Sequence, residues 1–384
     1  MVRVLHVITR LAMGGSSENT IATIEALERA GYPCTLAAGL AASDRAMAGE
    51  ARRRGCRVVD VPGLGREVGP RDLLALAHTL ALIRREQPHI VHTHTSKAGF
   101  HGRLAARLAH VPVIIHQPHG HIFYGYYGAR RTAFYVALER LAAGWADCII
   151  TLTERGTQEH LAHGIGRPEQ YATIPSGVPT AALRARAPAR DVARASLGLG
   201  VDDLAIAAVG RFVPIKGFDL LIEALPAVLW AEPRARLILI GDGPDRAAYE
   251  ARVAALGVAD RVTMTGVVDD VSVYLAAADI LAAPSRNEGM GRSIVKAMAL
   301  GVPVVATAVG GIPAVLGDGA YGRLVAAGAV GALAATLIEL GTDDVARTKL
   351  GAAGVERAEA FSAAVAETAM RELYAALAHA KRLT

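Results

Sequence analysis

Two successive stretches, each alternating short β-rich runs with longer helical patterns, predict an α/β protein of two domains, each built on a doubly wound parallel sheet. Three observations carry this expectation. At 384 residues the chain is longer than one core usually organises. Its 52% hydrophobic and 20% charged residues are enough to fill two cores and too apolar for a disordered chain. The alternation also breaks once, near residue 180, and then restarts.

In the first half, strands are expected at residues 3–9, 34–38, 58–61, 90–93, 113–116 and 148–152, and helices at 17–30, 71–86, 99–108 and 129–143. The opening Met1-Val2-Arg3-Val4-Leu5-His6-Val7-Ile8 lacks the long apolar region of a secretory leader and reads as a buried parallel strand. Residues 181–194 are rich in alanine, arginine and proline, show no apolar period, and read as a linker. In the second half, strands are expected at 204–209, 236–241, 262–265, 280–283, 304–307 and 323–325. Helices are expected at 218–230, 246–255, 271–276, 293–300 and 330–340, with a final helix at 361–377. The domain limits are then 1–180 and 181–360, with a C-terminal segment 361–384. In such sheets ligands bind outside the carboxyl ends of the strands, so the loops that follow strands are where chemistry is sought.

Charge is unevenly placed. Through Thr180 there are 20 basic against 14 acidic residues; the remainder has 21 against 22, and twelve of thirteen histidines precede residue 180. The first half is therefore where an anionic or amphiphilic partner would be drawn. Only five of the 41 basic residues are lysines, and Lys97, Lys216 and Lys296 fall inside motifs. Cys34, Cys56 and Cys148 fit no metal or disulfide spacing and read as small buried hydrophobes of a reducing cytoplasm. No apolar run approaches the length of a membrane span.

The densest chemistry lies in Pro284-Ser285-Arg286-Asn287-Glu288-Gly289-Met290-Gly291-Arg292-Ser293-Ile294-Val295-Lys296. A carboxylate sits on a glycine-bracketed loop, and good helix formers follow at once. The first-turn N–H groups and the positive end of the helix dipole favour a phosphate, while Glu288 is placed for sugar hydroxyls or developing positive charge. One loop can thus hold both halves of a sugar–phosphate bond, the strongest pointer to glycosyl transfer. Gly210-Arg211-Phe212-Val213-Pro214-Ile215-Lys216-Gly217 follows the first strand of the second half. Arg211 as a fork and Lys216 as a point charge can converge on a diphosphate and stabilise it as a leaving group. Gly241-Asp242-Gly243-Pro244 reads first as a turn, and Gly266-Val267 as backbone beside a base.

In the first half, Gly14-Gly15 follows a strand and opens a helix. It is either a tight turn or a phosphate approach, and it lacks the three-glycine dinucleotide fingerprint. After His119-Gly120-His121, six of the chain's eighteen aromatics fall between Phe123 and Tyr135. Phe123, Tyr124, Tyr126 and Tyr127 form either a platform for a sugar ring or lipid chain or a satellite hydrophobic cluster. The helix 129–143, carrying Arg130, Arg131 and Arg140 with Phe134, Tyr135 and Leu138, is either an interfacial helix or one packed on its own sheet. His92 and His94 alternate along a strand without a matching carboxylate or cysteine, and no zinc site is expected.

Taken together, these motifs resemble family 4 retaining glycosyltransferases of the GT-B fold, two Rossmann-like domains facing each other across a cleft. The resemblance spans Gly14-Gly15, His119-Gly120, Gly210-Arg211, Lys216-Gly217, Gly241–Pro244, the Glu288 loop and Gly310-Gly311-Ile312-Pro313. The Thr93–Lys97 segment with the aromatic run after His121 is similar to bacterial enzymes of surface-polysaccharide assembly. The resemblance implies a nucleotide-sugar donor on the second domain, near Gly14, Gly15, Gly266, Val267 and Gly289–Lys296, with Arg211 and Lys216 on its diphosphate. It implies Glu288 on the donor sugar, His119 at the reacting face, and a final helix that returns to the first domain. It implies an acceptor, a glycan or lipid-linked intermediate, near Thr95, Ser96, Lys97, His121, Phe123, Tyr124, Tyr126 and Tyr127. No metal, no cofactor and no nucleic acid are implied, and the expected location is cytoplasmic, with peripheral contact at the inner face of the membrane. Two positions depart from the family pattern: Lys296 stands where a second glutamate usually meets the ribose, and Ala314 where glutamate is common. Lysine only donates hydrogen bonds, so nucleotide identity is open. A non-catalytic relative and a sugar-nucleotide epimerase are the rival readings.

Overall fold

The computed structural model describes residues 1–65, 67–120 and 123–383. It divides into two compact units, Met1–Gly177 with Ala364–Thr384, and Val178–Ala363. The first unit holds seven parallel strands: β1 (Val4–Ile8), β2 (Cys34–Ala38), β3 (Arg57–Asp60), β4 (Ile90–His94), β5 (Val113–Gln117), β6 (Cys148–Thr151) and β7 (Tyr171–Thr173), in the order β3-β2-β1-β4-β5-β6-β7. The second holds β8 (Leu204–Val209), β9 (Ala235–Ile240), β10 (Val262–Met264), β11 (Ile280–Ala283), β12 (Val304–Thr307) and β13 (Arg323–Val325), in the order β10-β9-β8-β11-β12-β13. In each sheet the order reverses beside the first strand, between β1 and β4 and between β8 and β11. That switch point opens a crevice at the carboxyl ends of the strands.

The central strands are buried along their whole length, as a sheet covered on both faces requires. One core of the first unit joins Val4, Ile8, Leu36, Ile90, Ile115 and Ile150 to Met370 and Tyr374 of the final helix, Ala363–Ala380. That helix is also tied by Lys381–Asp147 at 2.8 Å and Arg29–Glu367 at 2.9 Å. The second core packs Ile206, Leu237, Leu239 and Ile280 against Phe212, Phe218 and Tyr249. All three cysteines are free and buried, and burial pushes their thiols up, Cys56 to about 11, so they stay protonated.

Several elements differ from the sequence expectation. The expected linker 181–194 is instead two short helices, Thr180–Arg186 and Arg190–Ser196. The second is held less by an apolar stripe than by Arg194, 6% exposed, which donates to the carbonyls of Ala277, Gly200 and Asp203 and pairs with Asp279 at 3.1 Å, and the first is tied by Arg184–Glu359 at 2.7 Å. Hydrophobic periodicity is blind to such polar anchoring. The three-residue β7 and the helices Arg45–Arg53, Glu154–Ala162 and Asp344–Ala358 were also not expected. Asp44 caps the first of these helices by accepting from Ala46 N–H at 2.9 Å, and Thr153 caps the second by accepting from Gly156 N–H at 3.1 Å. The boundary between units falls at 177/178 rather than 180/181.

Candidate functional site

In the second unit, the switch point between β8 and β11 is lined by the loops of residues 210–217 and 284–291. Two glycines let backbones approach where no side chain fits. A Cβ on Gly217 would lie 2.1 Å from the Pro284 carbonyl oxygen, and one on Gly310 would lie 2.0 Å from that of Glu288. Arg286 N–H donates to the Ile215 carbonyl at 2.8 Å, and Gly311 N–H donates to that of Glu288 at 3.0 Å. The Arg286 guanidinium forks onto Asp219 at 2.8 and 2.6 Å. Burial raises the Asp219 carboxyl, but the hydrogen bonds and charge of Arg286 outweigh it and leave Asp219 below its usual range. This clamp was not foreseen; Arg286 stood in the motif, but nothing in the spacing marked Asp219 as its partner.

The clamp brings Lys216 and Glu288 together. The Lys216 ammonium donates to the Glu288 carboxylate, with the two side chains 25% and 19% exposed. Arg211 is exposed at the mouth of the same strand end and makes no side-chain bond among the described residues. Gly291, at φ +87°, caps the eight-residue helix Arg292–Ala299. Two expected donor contacts need correction. Met290 and Ile294 side chains are each 1% exposed, and Ile294 N–H already donates to the Gly291 carbonyl at 2.9 Å, so neither side chain nor this amide faces a ligand. Gly289, Arg292, Ser293 and Lys296 are half-buried. The charge of Lys296 is felt at Asp270, whose carboxyl is raised by burial but lowered further by Ser272 hydrogen bonds, Arg186 and Lys296. Gly266 accepts from Gly241 N–H at 3.1 Å, and Val267 beside it is 61% exposed.

In the first unit, the carboxyl ends of β1, β4 and β5 lead to Gly14-Gly15, Thr95–Lys97 and His119-Gly120. Gly14 caps the fifteen-residue helix Gly15–Arg29. Thr95 and His119 both adopt left-handed backbone, φ +65° and +59°, unusual for residues with a Cβ. The acceptor expectations divide. Thr95 Oγ1 is occupied by Thr9 Oγ1 at 2.7 Å. Lys97, only 13% exposed, pairs with Asp72 at 2.6 Å and donates to the Glu67 carbonyl, so it locks the start of its own helix instead of meeting a ligand. Ser96 is half-buried on that first turn. Phe123 belongs to the satellite cluster with Val136, Ala146 and Ile149, stacked on His163 with ring centroids 4.1 Å apart. Tyr124, Tyr126 and Tyr127 are exposed, and with Thr132 and Arg140 several of these residues line a cavity of about 560 Å³. His121 lies outside the described residues.

The same strand ends hold a cluster the sequence reading missed. Parallel register sets His6 of β1 beside His92 of β4. His6, His92 and His94 are fully buried, with ring nitrogens within 4.8 Å of one another, and this is the one group among the described residues with metal-ligand spacing. It contains no carboxylate, and four of its six ring nitrogens are already engaged: His6 Nδ1 with His94 Nε2 at 3.0 Å, His94 Nδ1 with His119 Nε2 at 2.9 Å, and His92 Nδ1 with Tyr374 Oη at 2.8 Å. A divalent cation here would be buried without a compensating anion. The His-x-His alternation was visible in the sequence; its completion by His6 depends on which strand becomes β1's neighbour.

Two Rossmann-like parallel sheets, with cationic and carboxylate groups at the switch point of the second, define a glycosyltransferase of the GT-B type. Residues 14–177 match the family model of the glycosyl transferase 4-like domain, and residues 203–343 that of glycosyl transferases group 1. A D-inositol 3-phosphate glycosyltransferase of Streptomyces bingchenggensis is 31% identical over 333 residues, covering 82% of this chain and 73% of that protein. The chain therefore belongs to this glycosyltransferase family. Among solved structures, Anabaena HepE in complex with UDP and glucose superposes with a TM-score of 0.83 at 20% identity, over 98% of this chain and 100% of that one. Sucrose-phosphate synthase from Thermosynechococcus elongatus gives 0.83 at 24%, over 99% and 100%.

Proposed function

We propose that this glycosyltransferase moves a hexosyl group from a nucleoside diphosphate sugar to a hydroxyl acceptor with retention of anomeric configuration and without a metal. A UDP-sugar is favoured over GDP-mannose, because a structural neighbour binds UDP and glucose. The observation that carries the reading is the Lys216–Glu288 pair beside exposed Arg211 at one strand-end crevice. When the donor arrives, Lys216 exchanges Glu288 for the diphosphate and Arg211 closes on the same group. Glu288, released, accepts from hydroxyls of the donor sugar. As the anomeric C–O bond breaks, negative charge grows on the departing phosphate, where two fixed cations stabilise it most. That phosphate takes the proton of the incoming hydroxyl from the same face, so configuration is kept.

The acceptor is proposed to be a lipid-linked or polysaccharide intermediate reached at the inner face of the cell membrane. Exposed Tyr124, Tyr126, Tyr127, Phe134 and Leu141 lie in one stretch of chain with exposed Arg130 and Arg131, an amphiphilic composition suited to an anionic surface. No described helix is long and apolar enough to cross a membrane.

Thermal melts with UDP, GDP, ADP and dTDP and their common sugars, in EDTA, test the donor. One nucleotide should stabilise the protein by about 2.7 kcal/mol at a hundredfold excess over its Kd. No shift with any of them at millimolar concentration would defeat the reading. It would favour a non-catalytic relative, the alternative that Lys296 supports by replacing a ribose-binding carboxylate. Conversion of the donor alone, with no acceptor, would instead indicate an epimerase.

A further inference from the structure

The histidine cluster at the β1–β4–β5 strand ends has no part in the reaction as proposed above. We infer that His94 and His6 are positioning residues that fix the tautomer of His119, so that its proton sits on Nδ1. The inference rests on three contacts and two orphaned atoms. His6 Nδ1, His94 Nε2, His94 Nδ1 and His119 Nε2 form an unbroken imidazole chain with steps of 3.0 and 2.9 Å. His6 and His94 are fully buried, and burial keeps both neutral, so each ring carries one proton. A chain of neutral imidazoles has two consistent directions. In the outward one, His6 Nδ1–H donates to His94 Nε2, His94 Nδ1–H donates to His119 Nε2, and His119 holds its proton on Nδ1. In the inward one every donor reverses and His6 must carry its proton on Nε2.

The far end of the chain decides between them. His6 Nε2 and His92 Nε2 are both buried with no partner. Tyr374 Oη, fully buried and kept protonated, bonds His92 Nδ1 at 2.8 Å. When the hydroxyl donates there, the His92 proton falls on Nε2. The inward direction would add a second orphaned N–H to the same dry layer, where the rings of His6 and His92 lie 5.1 Å apart. The outward direction leaves a lone pair on His6 instead, and orphaned buried N–H groups are the rarer defect. With Nε2 of His119 accepting from His94, that ring is a hydrogen-bond donor at Nδ1 and not a proton acceptor. A buried third group that sets an imidazole's tautomer without itself reacting is an established way to prepare a catalytic histidine.

The test pairs tautomer-resolved NMR of the ¹⁵N-histidine-labelled full chain with turnover. His119 should show a protonated Nδ1 in the native protein. His94→Asn, whose side-chain N–H can occupy the place of Nδ1–H, should keep that pattern. His94→Phe should give a mixture of tautomers and a fall in kcat of roughly tenfold or more with KM little changed. Melting curves of both variants confirm that each folds. A protonated Nε2 on native His119, an unchanged Nδ1–H in His94→Phe, or equal losses of kcat in the two variants would overturn the inference. So would stoichiometric zinc in the purified protein that His6→Phe removes. The activity arm rests on the transferase reading; the NMR arm does not, so an inactive protein with the expected tautomer would sink only that reading.

Discussion

The two strand-end crevices share a scaffold and differ in how they handle polarity. In the second unit, the candidate groups are charged and reach water: Arg211 is exposed, and Lys216 and Glu288 keep about a quarter and a fifth of their side-chain surface. In the first, they are imidazoles sunk to zero exposure and held neutral. The contrast teaches that a doubly wound sheet sets where ligands are met but not by what chemistry. Charges suited to a diphosphate must stay on loops that water can solvate before the ligand comes, because an unpaired charge in a dry layer would cost several kcal/mol. Neutral rings can enter the sheet's own core, where they orient one another.

The largest expected effect breaks the charged side of this comparison. Glu288→Ala and Lys216→Ala should each lower turnover by about 10²–10³-fold, as loss of one fixed electrostatic partner does elsewhere, measured by release of the nucleoside diphosphate. Equal turnover in wild type and both variants would remove this crevice from the reaction.

The next effect tests the loop clamp. Gly310→Ala puts a Cβ 2.0 Å from the Glu288 carbonyl oxygen at φ +50°, so it should destabilise the protein by roughly 2–4 kcal/mol and weaken nucleotide binding with it. Gly14→Ala, where nothing lies within 4 Å, isolates the backbone strain of a positive φ alone and should cost about 1–3 kcal/mol. Denaturant titration of both separates steric clash from strain.

The neutral side is broken by acid. Burial lowers His6 to about 3, against an ordinary value of 6.5, and drives His92, His94 and His116 well down. The unfolded chain therefore binds more protons than the native one between those limits. Stability is full above about pH 6.5 and falls as pH drops, by roughly 1.4 kcal/mol per pH unit for each such histidine. The melting temperature should decline between pH 6.5 and 4.5, and His6→Phe should flatten that slope; a slope unaffected by the variant would mean that His6 titrates normally.

Smaller effects sharpen the picture. Tyr374→Phe strips His92 Nδ1 of its partner and should cost about 1–3 kcal/mol. Lys97→Met should cost about 1–3 kcal/mol through Asp72, with KM for the acceptor unmoved. A large rise in that KM would return Lys97 to the acceptor site.

Much of the fold was legible because parallel strands buried on both faces read as continuous apolar runs, as in β8 and β11. Loops that follow such strands then mark the crevices, which is how Arg211, Lys216 and Glu288 could be picked out together. Elements held by polar anchors rather than periodicity escaped, as the helices around Arg194 did. The sequence by itself determined two α/β units, the order of their strands along the chain, and the cationic loop beside the glutamate, because these depend on local pattern and glycine placement. Only the tertiary structure decided that Lys97 is spent on Asp72, that Phe123 is core while its neighbouring tyrosines are not, and that His6 joins His94 and His119. Each of these turns on which residues distant in sequence become neighbours. For the histidines, the reversal of strand order that sets β4 beside β1 makes that choice, and no spacing along the chain encodes it.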